Sequence, residues 1–130
     1  MGVSLEHEEL TGQIIGAAID VHKSLGPGYV EAIYENALAL ELRARDIPFQ
    51  RQLPVPILYR DTEVGLHRLD LLVANVIVVE LKAIKSFEDI HFAIARSYLR
   101  AIGQHHGLLL NFSKTTLEVK RVIAPDWQTH

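Results

Sequence analysis

Apolar residues near the start of the chain recur every three or four positions, the spacing that places side chains on one face of a helix. Over residues 11–25 we predict an amphipathic helix with Thr11 as its cap. The positions with this spacing are Ile14, Ile15, Ala18, Ile19, Val21, His22 and Leu25. Gly26-Pro27-Gly28 should end the helix, because proline restricts the residue before it and glycine tolerates left-handed backbone angles.

Two further segments have helical spacing. A second helix is predicted over residues 30–44, and its first turns bring Glu31, Tyr34 and Glu35 close together. Its apolar face consists of Ile33, Ala37, Leu38 and Leu42. A third helix should start near Ser86 and end at Gly103. Its apolar face consists of Phe92, Ala95, Tyr98, Leu99 and Ile102.

The segments between these helices have the character of strands. Residues 49–59 contain two internal prolines, which favours an edge strand. Residues 63–73 and 76–83, joined by a tight turn at Ala74-Asn75, are apolar at nearly every position, which is typical of central strands covered on both faces. With two more strands over 106–112 and 117–123, the order is ααβββαββ. This order predicts an α/β fold with a mixed central β-sheet flanked by helices on both faces.

The composition restricts the kinds of site that the chain can carry. A length of 130 residues with 48% hydrophobic and 22% charged residues is typical of one globular domain. The absence of cysteine excludes disulfides, zinc-thiolate sites and cysteine nucleophiles, so a metal would bind oxygen or imidazole. A net charge of -3 argues against strong non-specific binding of nucleic acid.

The sequence also bears on location. The longest apolar stretch, residues 71–79, is interrupted by Asn75 and is too short to cross a bilayer. Residues 1–10 are acidic and lack the apolar segment of a signal peptide. We therefore expect a cytoplasmic protein that does not engage a membrane.

Asp70, Glu80 and Lys82 are conspicuous because they are charged residues on strands predicted to be buried. Glu80 and Lys82 share one face of their strand, and Asp70 joins them if paired positions sum to 150 but faces away if they sum to 149. Two converging carboxylates would need a counter-charge, and hard oxygen ligands select Mg²⁺ or Mn²⁺. The alternative is a structural ion pair between Lys82 and one of the acids.

The same residues carry a resemblance to a known family. Asp70, nine intervening residues and then Glu80-Leu81-Lys82 resemble the core of the PD-(D/E)XK nuclease-like superfamily. The segment Gly28-Tyr29-Val30-Glu31-Ala32-Ile33-Tyr34 resembles the motif that names the GxxExxY protein family, with supporting stretches at 21–28, 97–99 and 107–112. The resemblance extends from about residue 10 to residue 123. It implies a restriction-endonuclease-like core in a single domain, residues 1–130.

The resemblance also implies roles for individual residues. Asp70 and Glu80 would hold the metal, with the carbonyl of Leu81 and the carboxylate of Glu31 as additional ligands. Lys82 would activate the attacking water and stabilise charge in the transition state. The catalytic set is therefore Asp70, Glu80, Lys82 and Glu31. For Glu31 the alternative is a glutamate stabilised by the helix dipole.

Substrate contacts are predicted on the helices. The residues assigned to them are Tyr34, Tyr98, Arg96 and Arg100. The two arginines, four apart, are the best candidates to contact phosphate, and a solvated helix face is their alternative. Tyr34 has the alternative of packing on the sheet. His91 lies near Ile94 and is a weaker candidate to approach phosphate, since a lone helix histidine is more often structural.

Two positions depart from the superfamily pattern. Leu69 precedes Asp70 where proline is frequent. Ile94 stands four residues before Tyr98, where many relatives carry a glutamine whose amide can bind substrate phosphate or a catalytic water. The loss of this polar group counts against full activity.

Two functions are therefore expected from different classes. The first is a Mg²⁺- or Mn²⁺-dependent nuclease that hydrolyses phosphodiester bonds of nucleic acid, DNA in the first instance. The second is a nuclease-fold module of weak or no activity with a binding or regulatory role, which the acidic net charge and Ile94 favour. A homodimer is a candidate assembly in either case.

Overall fold

A computed structural model describes residues 7–124 of the chain. Residues 1–6 and 125–130, which belong to the predicted domain, lie outside the described residues. The elements are α1 (Glu8–Leu25), α2 (Glu31–Ala44), β1 (Phe49–Tyr59), β2 (Thr62–Val73), β3 (Ile77–Lys82), α3 (Asp89–Ile102), β4 (His106–Asn111) and β5 (Glu118–Ile123). The predicted order of helices and strands is confirmed.

The start of α1 differs from its prediction. The helix begins at Glu8, so Thr11 lies within its first turns and does not cap it. The hydroxyl of Thr11 donates to the carbonyl oxygens of His7 and Glu8, each at 3.0 Å. A threonine hydroxyl can bond to a carbonyl of the preceding turn as readily as to the amides of a helix start, and periodicity does not distinguish the two. The end of α1 at Gly26, with φ of 74°, is as predicted.

The five strands form one mixed sheet in the order β1-β2-β3-β4-β5, in which β3 and β4 are parallel and the other neighbours are antiparallel. The helix α3 is the crossover between the two parallel strands, and β1 lies at an edge as its prolines predict. The helices α1 and α2 pack on one face of the sheet and α3 packs on the other, so each face has its own apolar core.

The turn between β2 and β3 sets the register of the hairpin. Ala74 and Asn75 have φ of 51° and 63°, as the predicted tight turn requires, and the amide of Val76 donates to the carbonyl of Val73 at 3.0 Å. Val76 therefore belongs to the turn and not to the predicted strand, and the first pair is Val73 with Ile77. Paired positions then sum to 150, the register that places Asp70 beside Glu80.

The prediction that β2 is covered on both faces is wrong for its first half. Residues 62–68 are exposed, whereas residues 71–73 are buried. The cause is pairing, because β3 pairs with β2 from Leu71 onward and the earlier residues pair with β1 alone.

Within residues 7–124, no helix is both long enough and apolar enough to span a bilayer.

Candidate active site

Asp70 and Glu80 are brought together where β2 diverges from β3. The amide of Asp70 donates to Oε2 of Glu80 at 2.9 Å, and the amide of Leu81 donates to Oδ2 of Asp70 at 2.8 Å. Each carboxylate is thus held by a backbone amide of the opposite strand, where a regular ladder would pair amides with carbonyls. This exchange fixes one oxygen of each acid.

Burial raises the pKa of both acids. Glu80 is 5% exposed, and desolvation followed by the charge of Asp70 raises the pKa of Glu80 to about 8. Desolvation also raises the pKa of Asp70, and the hydrogen bond from the amide of Leu81 opposes that shift. Asp70 and Glu80 are neighbours in space, and both have raised pKa values. A bound cation would stabilise their ionised forms.

Lys82 lies at the same end of β3 and lines a cavity together with Glu80. Within residues 7–124, Lys82 forms no ion pair with an N–O distance of 4.0 Å or less. Its charge lowers the pKa of both acids, but less than burial raises it. The alternative of a structural ion pair is therefore not what the structure shows, and the ammonium group is available to a ligand.

The cavity beside these groups is small. Its volume is about 20 Å³, and its lining consists of Glu80, Lys82, His91, Ile94, Ala95, Tyr98 and Leu109. A space of this size admits one water molecule or one ion. A larger ligand would lie across its mouth, where Ile94 is 40% exposed.

The first turns of α2 add two acids in different surroundings. Glu31 is exposed, and its Oε2 accepts a hydrogen bond from the amide of Ala83 at 3.1 Å, beside the end of β3. Across residues 7–124, no group of three or more His, Asp or Glu side chains has a geometry that could hold a metal. Glu31 therefore borders the Asp70–Glu80 pair without joining it in a three-carboxylate cluster.

Glu35 is an acid that the sequence placed near Glu31 and Tyr34 but to which it assigned no role. It is buried and accepts hydrogen bonds from Nε of Arg51 at 3.0 Å and from Nε2 of Gln52 at 2.8 Å. Its charge contributes to the raised pKa of both Asp70 and Glu80. The available signal was its position one helical turn after Glu31, which places both acids on the same side of α2.

Gln52 links Glu35 to the site. It lies between Arg51 and Leu53, which pair with Leu71 and Leu69 of β2, and its φ of 50° is unusual for a side-chain-bearing residue in a strand. Its amide nitrogen lies 2.8 Å from Oε1 of Glu35 and 3.5 Å from Oδ1 of Asp70. The alternation of polar and apolar residues in β1 does not identify Gln52, because its contacts with Glu35 and Asp70 depend on an irregular backbone angle.

The predicted substrate role of Tyr34 is not supported by its position. Its side chain is fully buried, and its ring stacks on Phe112 with centroids 4.5 Å apart. Its hydroxyl donates to the carbonyl of Gly26 at 2.6 Å and accepts from the amide of Tyr29 at 3.2 Å. Tyr34 holds the loop between α1 and α2, so the packing alternative applies.

The predicted residues of α3 lie in two places. Tyr98 lines the cavity, its hydroxyl is 3.4 Å from Nδ1 of His67, and burial followed by the nearby acids raises its pKa. Arg96 and Arg100 are exposed, and Arg96 borders a separate surface hollow with Asp89 and Ile90. The cavity therefore includes Tyr98 and neither arginine.

A sequence profile of the PD-(D/E)XK nuclease superfamily matches residues 8–122, which include every residue of the site. The chain belongs to the PD-(D/E)XK nuclease superfamily. The mixed five-stranded sheet with three helices is consistent with a PD-(D/E)XK core, as the resemblance implied.

A comparison with solved structures finds a protein of similar fold. The crystal structure of SSO0001 matches with a TM-score of 0.56 and 14% identity, over 93% of this chain and 61% of that one. This chain thus spans about three fifths of the length of SSO0001, and the likeness is one of fold. No curated protein matches the sequence significantly.

Nucleases of the PD-(D/E)XK superfamily typically use divalent metals, and Asp70 and Glu80 are the residues of this chain that would hold one. Oδ1 of Asp70 and the second oxygen of Glu80 are not engaged by the two backbone amides. Both are hard oxygen donors on acids that burial makes reluctant to ionise, and the adjacent cavity has the volume of a single ion. Thiolate ligands are absent from the whole sequence.

Proposed function

We propose that the protein is a Mg²⁺- or Mn²⁺-dependent nuclease that hydrolyses phosphodiester bonds, with DNA as its substrate. The observation that carries the proposal is the hydrogen-bonded pair of carboxylates, half-buried Asp70 and buried Glu80, beside an ammonium group that no carboxylate pairs with in residues 7–124. A structural network would neutralise these charges internally. This arrangement leaves them to a cation and an anionic substrate.

Each residue of the site would have its own role in phosphodiester hydrolysis. Asp70 and Glu80 would hold the cation, with the carbonyl of Leu81 as a further donor, and the cation when bound supplies a Lewis acid for the phosphate. Lys82 orients the attacking water and stabilises the negative charge that develops on the phosphate. Gln52 and Glu35 position Asp70 through hydrogen bonds, and Glu31 steadies the end of β3 through the amide of Ala83.

The second candidate is a nuclease-fold module that binds a partner without cleaving it. The observations that favour it are the apolar Ile94 at the mouth of the cavity and the net charge of -3. The two candidates differ in one respect that can be measured, because the first requires Lys82 for turnover and the second has no turnover.

The test is cleavage of single-stranded and duplex DNA and of RNA in Mg²⁺ or Mn²⁺. Wild-type protein should cleave DNA, and Lys82→Ala should lose on the order of 10²-fold or more of the rate, as is typical when a group that stabilises transition-state charge is removed. Lys85→Ala, three residues further on and exposed, is the matched control and should retain the rate. Equal rates in wild type and Lys82→Ala would reveal a contaminating nuclease, and no cleavage in any preparation would favour the binding module.

A further inference from the structure

The ring of His91 is held in one tautomer by the start of α3. His91 is the third residue of the helix, and its Nδ1 accepts a hydrogen bond from the amide of Glu88 at 2.8 Å. A backbone amide can only donate, so Nδ1 carries no proton and the ring proton resides on Nε2. An edge contact with the ring of Phe87, at 5.9 Å between centroids, helps to fix the ring orientation.

The other side of the ring is directed to solvent at the active site. His91 lines the same cavity as Glu80 and Lys82. In the described part of the chain, its Nε2 has no hydrogen-bond partner, and no buried side-chain nitrogen or oxygen is left without one. The Nε2–H group must therefore be accessible to solvent, on a side chain that lines the cavity.

The rest of the α3 side of the cavity offers little to a phosphate. Ile94 and Ala95 are apolar, and the hydroxyl of Tyr98 faces His67. The cavity itself has room for a single ion, so a phosphate group would rest across the mouth between α3 and Lys82. Phosphate oxygens accept hydrogen bonds and do not donate them, which matches a fixed N–H donor.

We propose that His91 is a substrate-binding residue whose Nε2–H donates to a phosphate oxygen of the nucleic acid. The inference rests on the proposed function and identifies the group by which α3 contacts the substrate. The hydrogen bond from the amide of Glu88 to Nδ1 fixes the orientation of the ring. The Nε2–H donor is therefore in position before the substrate binds.

The test uses two substitutions that distinguish the Nδ1 acceptor of His91 from its Nε2–H donor. In His91→Asn the side-chain oxygen can replace Nδ1 as the acceptor for the amide of Glu88, and the distal donor is lost. In His91→Gln the longer amide places an N–H near the position of Nε2. His91→Ala removes both groups. Melting temperature reports on the helix start, and fluorescence anisotropy with a labelled DNA duplex in Ca²⁺ reports on binding.

His91→Asn should melt like the wild type and bind DNA roughly tenfold more weakly, the effect of one hydrogen bond to a charged acceptor. His91→Gln should retain most of the affinity, and His91→Ala should lose both affinity and thermal stability. In the wild type, the ¹⁵N resonance of His91 Nε2 should shift when DNA is added.

Two failures are distinguishable. Equal affinity of wild type and His91→Asn, with no shift of the Nε2 resonance, overturns the role of His91 while leaving the nuclease proposal intact. A wild type that binds no nucleic acid overturns both.

Discussion

At the scale of single residues, the site is dominated by acids that the fold keeps away from water. Burial raises the pKa of Glu80 to about 8, and the two backbone amides that anchor Asp70 and Glu80 offset part of the cost of burying them. Such pairs are tolerated where a ligand compensates for them. On the proposed function, a bound cation would supply this compensation, and the metal-free fold would be the less stable state.

This tuning predicts an unusual pH dependence in chelator. The folded state keeps a proton on Glu80 that the unfolded chain releases, so the free energy of unfolding should fall as pH rises between the ordinary pKa of 4.5 and about 8. Glu80→Gln removes the titrating group and should flatten this slope, with stability at pH 8 equal to or above that of wild type. The measurement is urea unfolding at several pH values, with the exposed Glu63→Gln as control. Parallel pH profiles for wild type and Glu80→Gln would contradict the assignment.

Ile94 gives a second residue-scale prediction. Because its side chain is 40% exposed at the mouth of the cavity, a glutamine there can keep its amide hydrated and the fold should tolerate it. If the chain cleaves DNA, Ile94→Gln adds a donor beside the substrate and should raise turnover about tenfold, the effect of roughly 1.4 kcal/mol. The gain should vanish when Lys82→Ala is added. Turnover and melting temperature should be measured together, and a stable variant with unchanged turnover would count against a polar role at this position.

At the scale of elements, the hairpin of β2 and β3 assembles the site. Its connection contains Ala74, Asn75 and Val76, and the pairing that follows places Asp70 beside Glu80. Because side chains alternate along a strand, a shift of one residue would move one acid to the opposite face of the sheet. The left-handed angles of the turn therefore bear on the site as well as on stability.

Asn75 provides the element-scale prediction. With φ of 63° and an exposed side chain, it tolerates glycine but opposes a β-branched residue. Asn75→Val should lower the free energy of unfolding by about 1–2 kcal/mol, the cost of left-handed backbone for such a residue. Asn75→Gly, the matched control, should lie close to wild type in urea unfolding. Equal stabilities for the two variants would show that the turn adapts by changing its backbone.

At the scale of the whole molecule, one face of the sheet serves mainly the core and the other borders the candidate site. The face covered by α1 and α2 contains the larger core, including Tyr34, and the face covered by α3 borders the cavity. The acids of α2 reach the site from the other face at the point where β2 leaves β3. The site therefore depends on the complete arrangement of helices around the sheet.

Metal binding should consequently stabilise the whole fold. A cation held by the native state alone adds about 2.7 kcal/mol when its free concentration is a hundredfold above the dissociation constant. The melting temperature of wild type should rise across millimolar Mn²⁺ relative to chelator, and that of Glu80→Gln should not. The control Glu63→Gln should respond as wild type does. Coincident melting curves in Mn²⁺ and chelator would remove the main physical support for the proposed metal site.

The sequence by itself determined the order of helices and strands, the edge position of β1 and the tight turn at Ala74-Asn75. These features follow from periodicity and from the backbone preferences of proline and turn residues, which act over a few neighbouring positions. The sequence also identified Asp70, Glu80 and Lys82 as candidate site residues, because charged residues are conspicuous on apolar strands.

Only the tertiary structure decided between the two hairpin registers, since the placement of Val76 in the turn is not visible in alternation. It alone assigned Tyr34 to the loop between α1 and α2 and brought Glu35 and Gln52 to Asp70. The physical reason is that local pattern specifies which face of its own element a side chain occupies. Distances between elements depend on register, packing and irregular backbone, which involve residues far apart in the chain.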